Sequence, residues 1–165
     1  LLKIIDNVAE SLKEYAMKKN IKIRFNHQLS EGLFVLGNED ELVQVFTNII
    51  DNSIKYGKIN SSIDIKAEEV KEQTDQSEDK KLFPQIILKI SVKDESDGIH
   101  AKHLSRLTER FYRVDAARSK EIGGTGLGLT IVKHILNKHR GHLDIKSEIN
   151  QGSTFTVELP IAPIS

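Results

Sequence analysis

The 165-residue sequence has no cysteine, no long apolar run and no excess of either charge. Without cysteine, disulfides and thiolate chemistry are excluded, which agrees with a cytoplasmic setting. The 24 basic and 24 acidic residues cancel, which argues against a general nucleic-acid or membrane-surface binder. No apolar stretch approaches the roughly 20 residues of a membrane span, and no signal-peptide pattern opens the chain. We therefore expect one globular domain, and the helical pattern at residue 1 indicates part of a larger protein.

Apolar periodicity predicts helices that alternate with strands. Residues 1–17 have the pattern of one amphipathic helix, and a second helix is predicted from Asn38, in a near capping box with Glu41, to Gly57. A third helix follows a glycine-rich run and ends at Gly141. Alternation predicts strands at residues 21–26, 34–36, 63–67, 86–92, 143–148 and 154–159. This order predicts an α/β sandwich with helices on one side of a mainly antiparallel sheet.

Two segments between these elements are predicted to be irregular. Residues 68–81 are almost wholly polar and charged, which is typical of an exposed hairpin loop. Residues 100–122 contain a short helix followed by irregular chain that carries arginines. The arginines within residues 109–115 could contact phosphates, or this segment could be a surface loop held by its aromatic pair.

The glycine-rich run covers residues 123–129, Gly-Gly-Thr-Gly-Leu-Gly-Leu. Glycines at the start of a helix expose backbone N–H groups beside the positive end of the helix dipole, which favours a phosphate chain. The spacing matches neither the dinucleotide fingerprint, because Leu129 stands where the last glycine belongs, nor the NTPase phosphate loop, which needs a lysine after Gly128. In isolation, a hinge or a close-packed turn is the simpler interpretation.

The second predicted helix carries an unusual polar face. Gln44, Asn48, Asn52 and Lys55 fall within an arc of about 80° opposite the apolar face. Amide oxygens suit Mg²⁺, a hard ion that prefers oxygen, and Lys55 suits a phosphate. A plain solvated face is the alternative. The neighbouring carboxylate, Asp51, projects about 100° around the helix from Asn52, so we do not assign it to this face.

An acidic segment, residues 94–99, follows the strand predicted to end at Val92. Asp94 is expected to project from the sheet edge into a crevice, where it could accept a hydrogen bond from an exocyclic amine such as that of adenine. An ordinary acidic turn is the alternative. Ser153 and Thr154, near the start of the last strand, are weaker candidates.

Five motifs in this order resemble the ATP-binding domain of bacterial sensor histidine kinases. They are Asn48-x-x-x-Asn52-x-x-Lys55-Tyr56, Asp94-x-Ser96-x-Gly98, Glu109-Arg110-Phe111-Tyr112-Arg113, Gly124-x-Gly126-x-Gly128 and Gly152-x-Thr154-Phe155. Each motif is weak alone, but five in the right order across essentially the whole chain are very specific. The sequence of residues 109–115 looks most like that of the phosphate-regulon sensor group.

The resemblance implies the Bergerat fold, a two-layer α/β sandwich in which a mainly antiparallel mixed sheet packs on three helices. ATP would lie between the asparagine helix and a mobile lid. Asn52 would hold Mg²⁺, and Asn48 would lie close to the same ion and to the phosphates. Lys55 and Arg113 would contact phosphate, and Tyr56 would lie against the nucleotide.

The resemblance also implies contacts to the base and a phosphate cradle. Asp94 would accept a hydrogen bond from the adenine amino group, and Thr154 would assist in this contact. Gly98 and Ile99 would line the site beside Asp94. The lid would run from about residue 99 to residue 123. The backbone amides that cradle the phosphates would be those of Gly124, Thr125, Gly126, Leu127, Gly128 and Leu129.

One position departs from the family pattern. After the aspartate the family has Asp-x-Gly-x-Gly, and this chain has Ser96 at the first glycine. A side chain at this place, where backbone passes close to adenine, is expected to weaken or reshape nucleotide binding without abolishing it.

The expected reaction is transfer and not hydrolysis. Relatives of this fold that hydrolyse ATP have a glutamate one helical turn before the metal asparagine, where this chain has Asn48, whose amide cannot accept a proton from water. None of the six histidines is followed by an acidic residue, as the family's phosphoacceptor would be. The acceptor histidine is therefore expected upstream of residue 1. His139 and His142 are interpreted as surface residues at a helix end.

The resemblance implies partners as well. These are the dimerisation and phosphoacceptor domain of the same protein and a response regulator downstream, with no nucleic acid. The isolated domain is expected to be monomeric with almost no turnover, and the full protein to be a homodimer anchored in the inner membrane with this domain in the cytoplasm. The alternatives are a degenerate nucleotide-binding regulatory or docking module and an ATP-hydrolysing relative.

Overall fold

A computed structural model of the chain describes residues 1–29, 34–72, 85–115 and 123–162. The helices of this part are α1 (Leu2–Ser11), α2 (Lys13–Met17), α3 (Glu39–Tyr56), α4 (Ala101–Leu104) and α5 (Gly128–Lys138). The strands are β1 (Lys22–Gln28), β2 (Ser62–Glu72), β3 (Gln85–Asp94), β4 (His142–Glu148) and β5 (Gly152–Pro160). Across these ranges, every helix is too short or too polar to cross a membrane.

The five described strands form one mixed sheet in the order β1-β2-β3-β5-β4. β1 and β2 pair in parallel on either side of the crossover through α3, and the other three pairs are antiparallel. Buried side chains alternate along the three central strands, and they include Ile63, Ile65, Ala67, Leu88, Ile90, Val92, Phe155, Val157 and Leu159. Only one face of the sheet is therefore covered by helices, which confirms the predicted two-layer sandwich.

α3 is the central helix of the second layer, in contact with α1, α5 and β3. Its N-terminus is capped by Asn38, whose Oδ1 accepts a hydrogen bond from the backbone N–H of Glu41 at 3.0 Å. Its buried apolar face consists of Leu42, Val45, Phe46, Ile49, Ile50 and Ile54. The predicted cap and apolar face are confirmed, and burial of this face leaves the asparagine face on the opposite side.

A lysine side chain closes the other end of α3. The Nζ of Lys19 donates to the backbone carbonyls of Ile54, Lys55 and Gly57, at 2.9, 2.6 and 3.2 Å. These carbonyls lie at the negative end of the helix dipole, where a cation is stabilising. Lys19 therefore fixes the end of the helix that carries the predicted phosphate contacts.

The side chain of His139 is buried, although the residue as a whole is half-buried, so its interpretation as a surface residue is wrong. Its side chain is 6% exposed. Nδ1 lies 2.8 Å from the carbonyl oxygen of Ile135, and Nε2 accepts a hydrogen bond from the backbone N–H of Asn38 at 3.0 Å. One imidazole thus joins the end of α5 to the cap of α3. His142 is exposed, as expected.

Three predicted boundaries need correction. Residues 1–17 form two helices that meet at Leu12 and not one continuous helix. No strand forms at residues 34–36, where Phe34 and Leu36 are 65% and 78% exposed and so have no sheet face to bury. The predicted hairpin loop starts too early, because residues 68–72 extend β2 and pair with β3. The rest of that loop, residues 73–81, lies outside the described residues.

The end of α5 differs from the prediction in its cause. The residue with positive φ is Arg140, at 54°, and not Gly141. Glycine at position 141 is required by a close approach, because a Cβ there would lie 2.6 Å from the carbonyl oxygen of Glu158. The glycine therefore packs α5 against β5, while the arginine makes the turn.

Candidate functional site

A cavity of about 250 Å³ opens between the polar face of α3, the end of β3, the segment that follows β3 and the start of α5. Most of the predicted nucleotide-binding residues line it. They are Asn48, Asn52, Lys55, Tyr56, Asp94, Gly98, Ile99, Arg113, Gly124, Thr125, Gly126, Gly128 and Leu129. All five sequence motifs contribute at least one residue, so the fold brings motifs that are distant in the chain to one cavity.

Two of the predicted site residues lie outside this cavity. Leu127 is the N-cap residue of α5. Thr154 pairs with Lys93 in the β3–β5 register, whereas Ser153 pairs with Asp94 and lines the cavity. Successive side chains of a strand point to opposite faces, so Ser153 shares the face of Asp94. The residue beside Asp94 is therefore Ser153, which corrects the placement of Thr154.

The asparagine face of α3 holds an unpaired donor. The Nδ2 of Asn48 is buried and has no hydrogen-bond partner among the described residues. The start of α5 lies against it, because a Cβ on Gly128 would lie 3.3 Å from the Oδ1 of Asn48. A buried donor without an acceptor costs free energy. The position therefore suits a ligand oxygen, close to the first-turn N–H groups of α5, which have no partner within the helix.

Lys55 is paired within the cavity wall. Its Nζ lies 2.7 Å from the Oδ2 of Asp51, and the two side chains are 22% and 27% exposed. Asp51 also lines the cavity, which the angle around the helix did not indicate; the i, i+4 spacing of the pair was the available signal. Gln44, by contrast, is exposed and does not line the cavity.

Asp94 is a buried carboxylate at the other end of the cavity, 2% exposed. Its Oδ1 accepts hydrogen bonds from the backbone N–H groups of Ser96 and Ser153, each at 3.0 Å. Burial raises the pKa of the Asp94 carboxyl, and the hydrogen bonds from the backbone N–H groups of Ser96 and Ser153 offset part of that rise. The site thus presents a fixed acceptor in a protected place, which suits a ligand amine.

Two glycines allow close backbone approaches around the cavity. Gly98 has a φ of 74°, and a Cβ there would lie 1.9 Å from the carbonyl oxygen of Glu148. Gly126 has a φ of 70°, and a Cβ there would lie 2.9 Å from the backbone of Phe111, whose N–H donates to the Gly126 carbonyl at 2.9 Å. The predicted lid thus contacts the glycine-rich run at Phe111; its residues 116–122 lie outside the described residues.

Tyr112 is a cavity residue whose contacts the sequence did not reveal. Its hydroxyl lies 2.6 Å from the Nδ1 of His103, and the guanidinium carbon of Arg106 lies 4.2 Å from its ring centroid. Desolvation, with smaller contributions from Lys102, His100 and Arg106, lowers the pKa of His103. The short helix α4, which carries His103, therefore positions this part of the cavity wall.

The donor set of the cavity fits Mg²⁺ that arrives with a nucleotide. The described residues contain no cluster of three or more histidine, aspartate or glutamate side chains that could hold a metal. The oxygen donors that α3 brings to the cavity are the amides of Asn48 and Asn52 and the carboxylate of Asp51. Mg²⁺ commonly combines one or two protein oxygens with substrate phosphates and waters.

Comparison with known proteins identifies the family. The profile of the histidine kinase-, DNA gyrase B- and HSP90-like ATPases matches residues 37–163. The phosphate regulon sensor protein PhoR of Pseudomonas aeruginosa is 39% identical over 146 residues, which are 85% of this chain and 29% of PhoR. The sensor histidine kinase WalK of Bacillus subtilis is 35% identical over 164 residues, which are 96% of this chain and 24% of WalK. The chain thus spans less than a third of the length of these relatives.

Solved structures share the fold over nearly the whole chain. The mycobacterial sensor histidine kinase MprB has a TM-score of 0.75 at 21% identity, with 99% of this chain and 95% of that chain covered. The catalytic domain of histidine kinase ThkA has a TM-score of 0.75 at 25% identity, with the same coverage. This chain therefore belongs to the histidine kinase-, DNA gyrase B- and HSP90-like ATPase family, as an ATP-binding catalytic domain of the histidine kinase type.

Proposed function

We propose that this domain binds Mg-ATP and donates the γ-phosphoryl group to a histidine on a dimerisation domain of the same protein. The observation that carries the proposal is the single cavity that joins a buried carboxylate at one end to amides, a lysine and a helix start at the other. The first end suits a base amine and the second suits phosphates. Membership of the histidine kinase-type family supports the reaction class.

At the base end, Asp94 accepts a hydrogen bond from the adenine amino group. Ser153 stands beside it, and Ile99 and Tyr56 form part of the wall. A guanine base would bring a carbonyl oxygen to this position, and two facing acceptors repel. The carboxylate therefore selects adenine over guanine.

At the phosphate end, Asn52 holds Mg²⁺ and Asn48 lies beside the ion and the phosphates. When bound, Mg²⁺ neutralises phosphate charge during transfer. The unpaired Nδ2 of Asn48 donates to a phosphate oxygen. Lys55 leaves Asp51 to meet a phosphate, Arg113 approaches from the lid, and the amides of the glycine-rich run surround the chain. Positioning and charge, with little covalent work by the domain, account for such a transfer.

The cavity is poorly equipped to activate water. Asn48 occupies the place where a hydrolase would need a general base, and an amide cannot accept a proton from water as a carboxylate does. Asp51, the next carboxylate along the helix, is paired with Lys55 at 2.7 Å. Transfer to an outside acceptor is therefore favoured over hydrolysis, in agreement with the interpretation of the sequence.

The remaining parts of the proposal concern the whole protein. A dimerisation and phosphoacceptor domain supplies the histidine, a response regulator receives the phosphate, and the full protein is a membrane-anchored homodimer with this domain in the cytoplasm. PhoR and WalK are named as a sensor protein and a sensor histidine kinase, which supports these partners. A nucleotide-binding module without transfer is the second candidate, because Ser96 replaces a family glycine.

The test is to mix the purified domain with the helical acceptor domain of its own protein and γ-labelled ATP. We expect label on histidine, stable to base and labile to acid, and almost no phosphate release from the domain alone. Asn52→Asp should reduce labelling at least about tenfold, because a charged ligand without the amide donor alters the metal site. Gln44→Ala, on the same helix but outside the cavity, serves as the matched control.

Each alternative outcome has a distinct meaning. Brisk phosphate release by the isolated domain would support an ATP hydrolase and overturn the kinase proposal. ATP binding without label on the histidine would support the regulatory module. Full labelling by the Asn52→Asp variant would remove Asn52 from the metal role.

A further inference from the structure

Three serine side chains form a connected chain of hydroxyl groups that runs from the cavity wall to β4. The Oγ of Ser96 lies 3.3 Å from the Oγ of Ser153, and the Oγ of Ser153 lies 2.9 Å from the Oγ of Ser147. Ser147 in turn donates to the carbonyl of Gly152 at 2.8 Å. Ser96 and Ser153 are only 6% and 4% exposed. We name Ser96, Ser153 and Ser147 the serine relay.

The direction of the relay follows from counting protons. A hydroxyl has one proton to donate and can accept in addition. Since Ser147 donates its proton to Gly152, it must accept from Ser153. Ser153 has then used its own proton, so it must accept from Ser96. The donors therefore all point one way, from Ser96 toward Ser147, and such a chain strengthens its members cooperatively.

The first serine of the relay contacts the adenine-reading carboxylate. The backbone N–H of Ser96 donates to the Oδ1 of Asp94 at 3.0 Å. The backbone N–H of Ser153, the second serine of the relay, donates to the same Oδ1, also at 3.0 Å. One carboxylate oxygen therefore holds the backbone of both serines whose hydroxyls begin the relay.

The relay also reaches the start of the lid. The backbone N–H of Gly98 donates to the Oγ of Ser96 at 3.3 Å, and the backbone N–H of Ile99 donates to the Oγ of Ser147 at 2.8 Å. Gly98 and Ile99 themselves line the cavity. The serines of the relay thus contact Asp94 through backbone N–H groups and the start of the predicted lid through hydroxyl groups.

We propose that Ser96 is a positioning residue and that the serine relay couples the base contact at Asp94 to the start of the lid. The proposal rests on the proposed ATP site. When the adenine amine donates to Asp94, the carboxylate is held in place, and with it the backbone N–H groups of Ser96 and Ser153 that donate to its Oδ1. The relay then holds the N–H groups of Gly98 and Ile99 more firmly. Gly98 and Ile99 become better ordered, and by reciprocity an ordered lid start favours the base. A serine in place of the family glycine therefore strengthens nucleotide binding, contrary to the expectation from the sequence.

The test follows the backbone amide signals of Gly98 and Ile99 by NMR, with and without saturating Mg-ATP. In the wild-type domain we expect ATP to shift both signals. In Ser96→Ala the ATP-induced shifts should be largely lost even at saturation, because the relay has lost its first donor. ATP affinity, measured by calorimetry, should fall by about three- to tenfold, the effect of one lost hydrogen bond. Ser96→Gly should behave in the same way.

Ser147→Ala provides a second variant at the far end, since Ser147 does not line the cavity. It should remove the Ile99 response while the adenine end still binds ATP. Ser105→Ala, an exposed serine at the end of α4, is the control and should change nothing. ATP-induced amide shifts in Ser96→Ala that equal those of the wild type, or tighter ATP binding by Ser96→Gly, would overturn the relay. Absence of ATP binding by the wild-type domain would instead overturn the proposed function.

Discussion

At the scale of single residues, Asp94 shows how a binding-site residue can lower the free energy of unfolding. Burial raises the pKa of its carboxyl above the ordinary 3.8, so the ionised form is disfavoured in the folded state. As the pH falls, the folded state takes up this proton before the unfolded state does. The cost is therefore fully present at neutral pH and is relieved as the pH falls through the raised pKa.

Asp94→Asn should separate stability from binding. The amide oxygen can still accept the two backbone N–H groups that Oδ1 accepts now, while the buried charge disappears. We expect a higher Tm without nucleotide and at least about a tenfold loss of ATP affinity, because the new NH₂ faces the adenine amine and a charge-assisted hydrogen bond is lost. Thermal scans and calorimetry measure the two effects.

The pH dependence supplies the internal control for this variant. The gain in Tm should be larger at about pH 7 than at about pH 4, because protonation of Asp94 removes the cost of the buried charge from the wild type only. A gain that does not change with pH would show that the buried charge is not its source.

At the scale of elements, α3 acts as a rigid support because both of its ends are tied to other parts of the chain. His139 of the α5 C-cap contacts Asn38 at one end, and Lys19 contacts the last carbonyls at the other. Asn48, Asn52 and Lys55 all lie on this helix. The helix therefore sets the positions of these three side chains relative to one another. The contacts of His139 and Lys19 with its two ends set the position of the helix relative to Asp94.

Lys19→Met should lower the free energy of unfolding by about 1–3 kcal/mol, the cost of leaving buried hydrogen-bond partners of a charged group unsatisfied. The methionine keeps most of the apolar stem, so the change isolates the ammonium group. Chemical denaturation measures the loss. Lys18→Met, at the exposed neighbouring position, is the matched control. Equal effects of the two substitutions would contradict the capping role of Lys19.

At the scale of the whole molecule, the cavity lies at the junction of α3, β3, β5 and α5. A ligand that contacts all four elements stabilises the entire domain and not one loop. The motifs of the sequence are thus separate in the chain but belong to one cooperative unit. The segment before residue 115 adds a further part of the cavity wall, because Tyr112 lines the cavity and the backbone N–H of Phe111 donates to the carbonyl of Gly126.

Mg-ATP at about a hundredfold excess over its Kd should stabilise the domain by about 2.7 kcal/mol, which for this size corresponds to about 5–10 °C in Tm. Removal of Mg²⁺ with a chelator should reduce this shift, because Asn52 then loses its metal-mediated contact to the phosphates. Thermal scans with ATP, with and without the chelator, measure the difference. The same shift under both conditions would contradict a metal role for Asn52.

Much of the fold was predictable because it depends on neighbours in the chain. Periodicity located α3 and its buried face, and Asn38 was identified as its cap from the spacing to Glu41. The same local logic failed at residues 34–36, where an apolar pattern had no strand to pair with, and at His139, whose burial depends on a helix a hundred residues earlier. A local pattern indicates which secondary structure a segment can form, and packing against the rest of the chain decides whether that structure forms.

The sequence by itself determined the motifs, their order, the polar face of α3 and hence the family. Only the tertiary structure decided which side chains meet. Ser153 stands beside Asp94 in place of Thr154 because the register of β3 and β5 selects alternate residues. The contact of Tyr112 with His103 and the serine relay likewise became visible only in the fold. The reason is physical: periodicity is a property of adjacent residues, whereas contacts between distant residues depend on strand register and on the path of the chain between them.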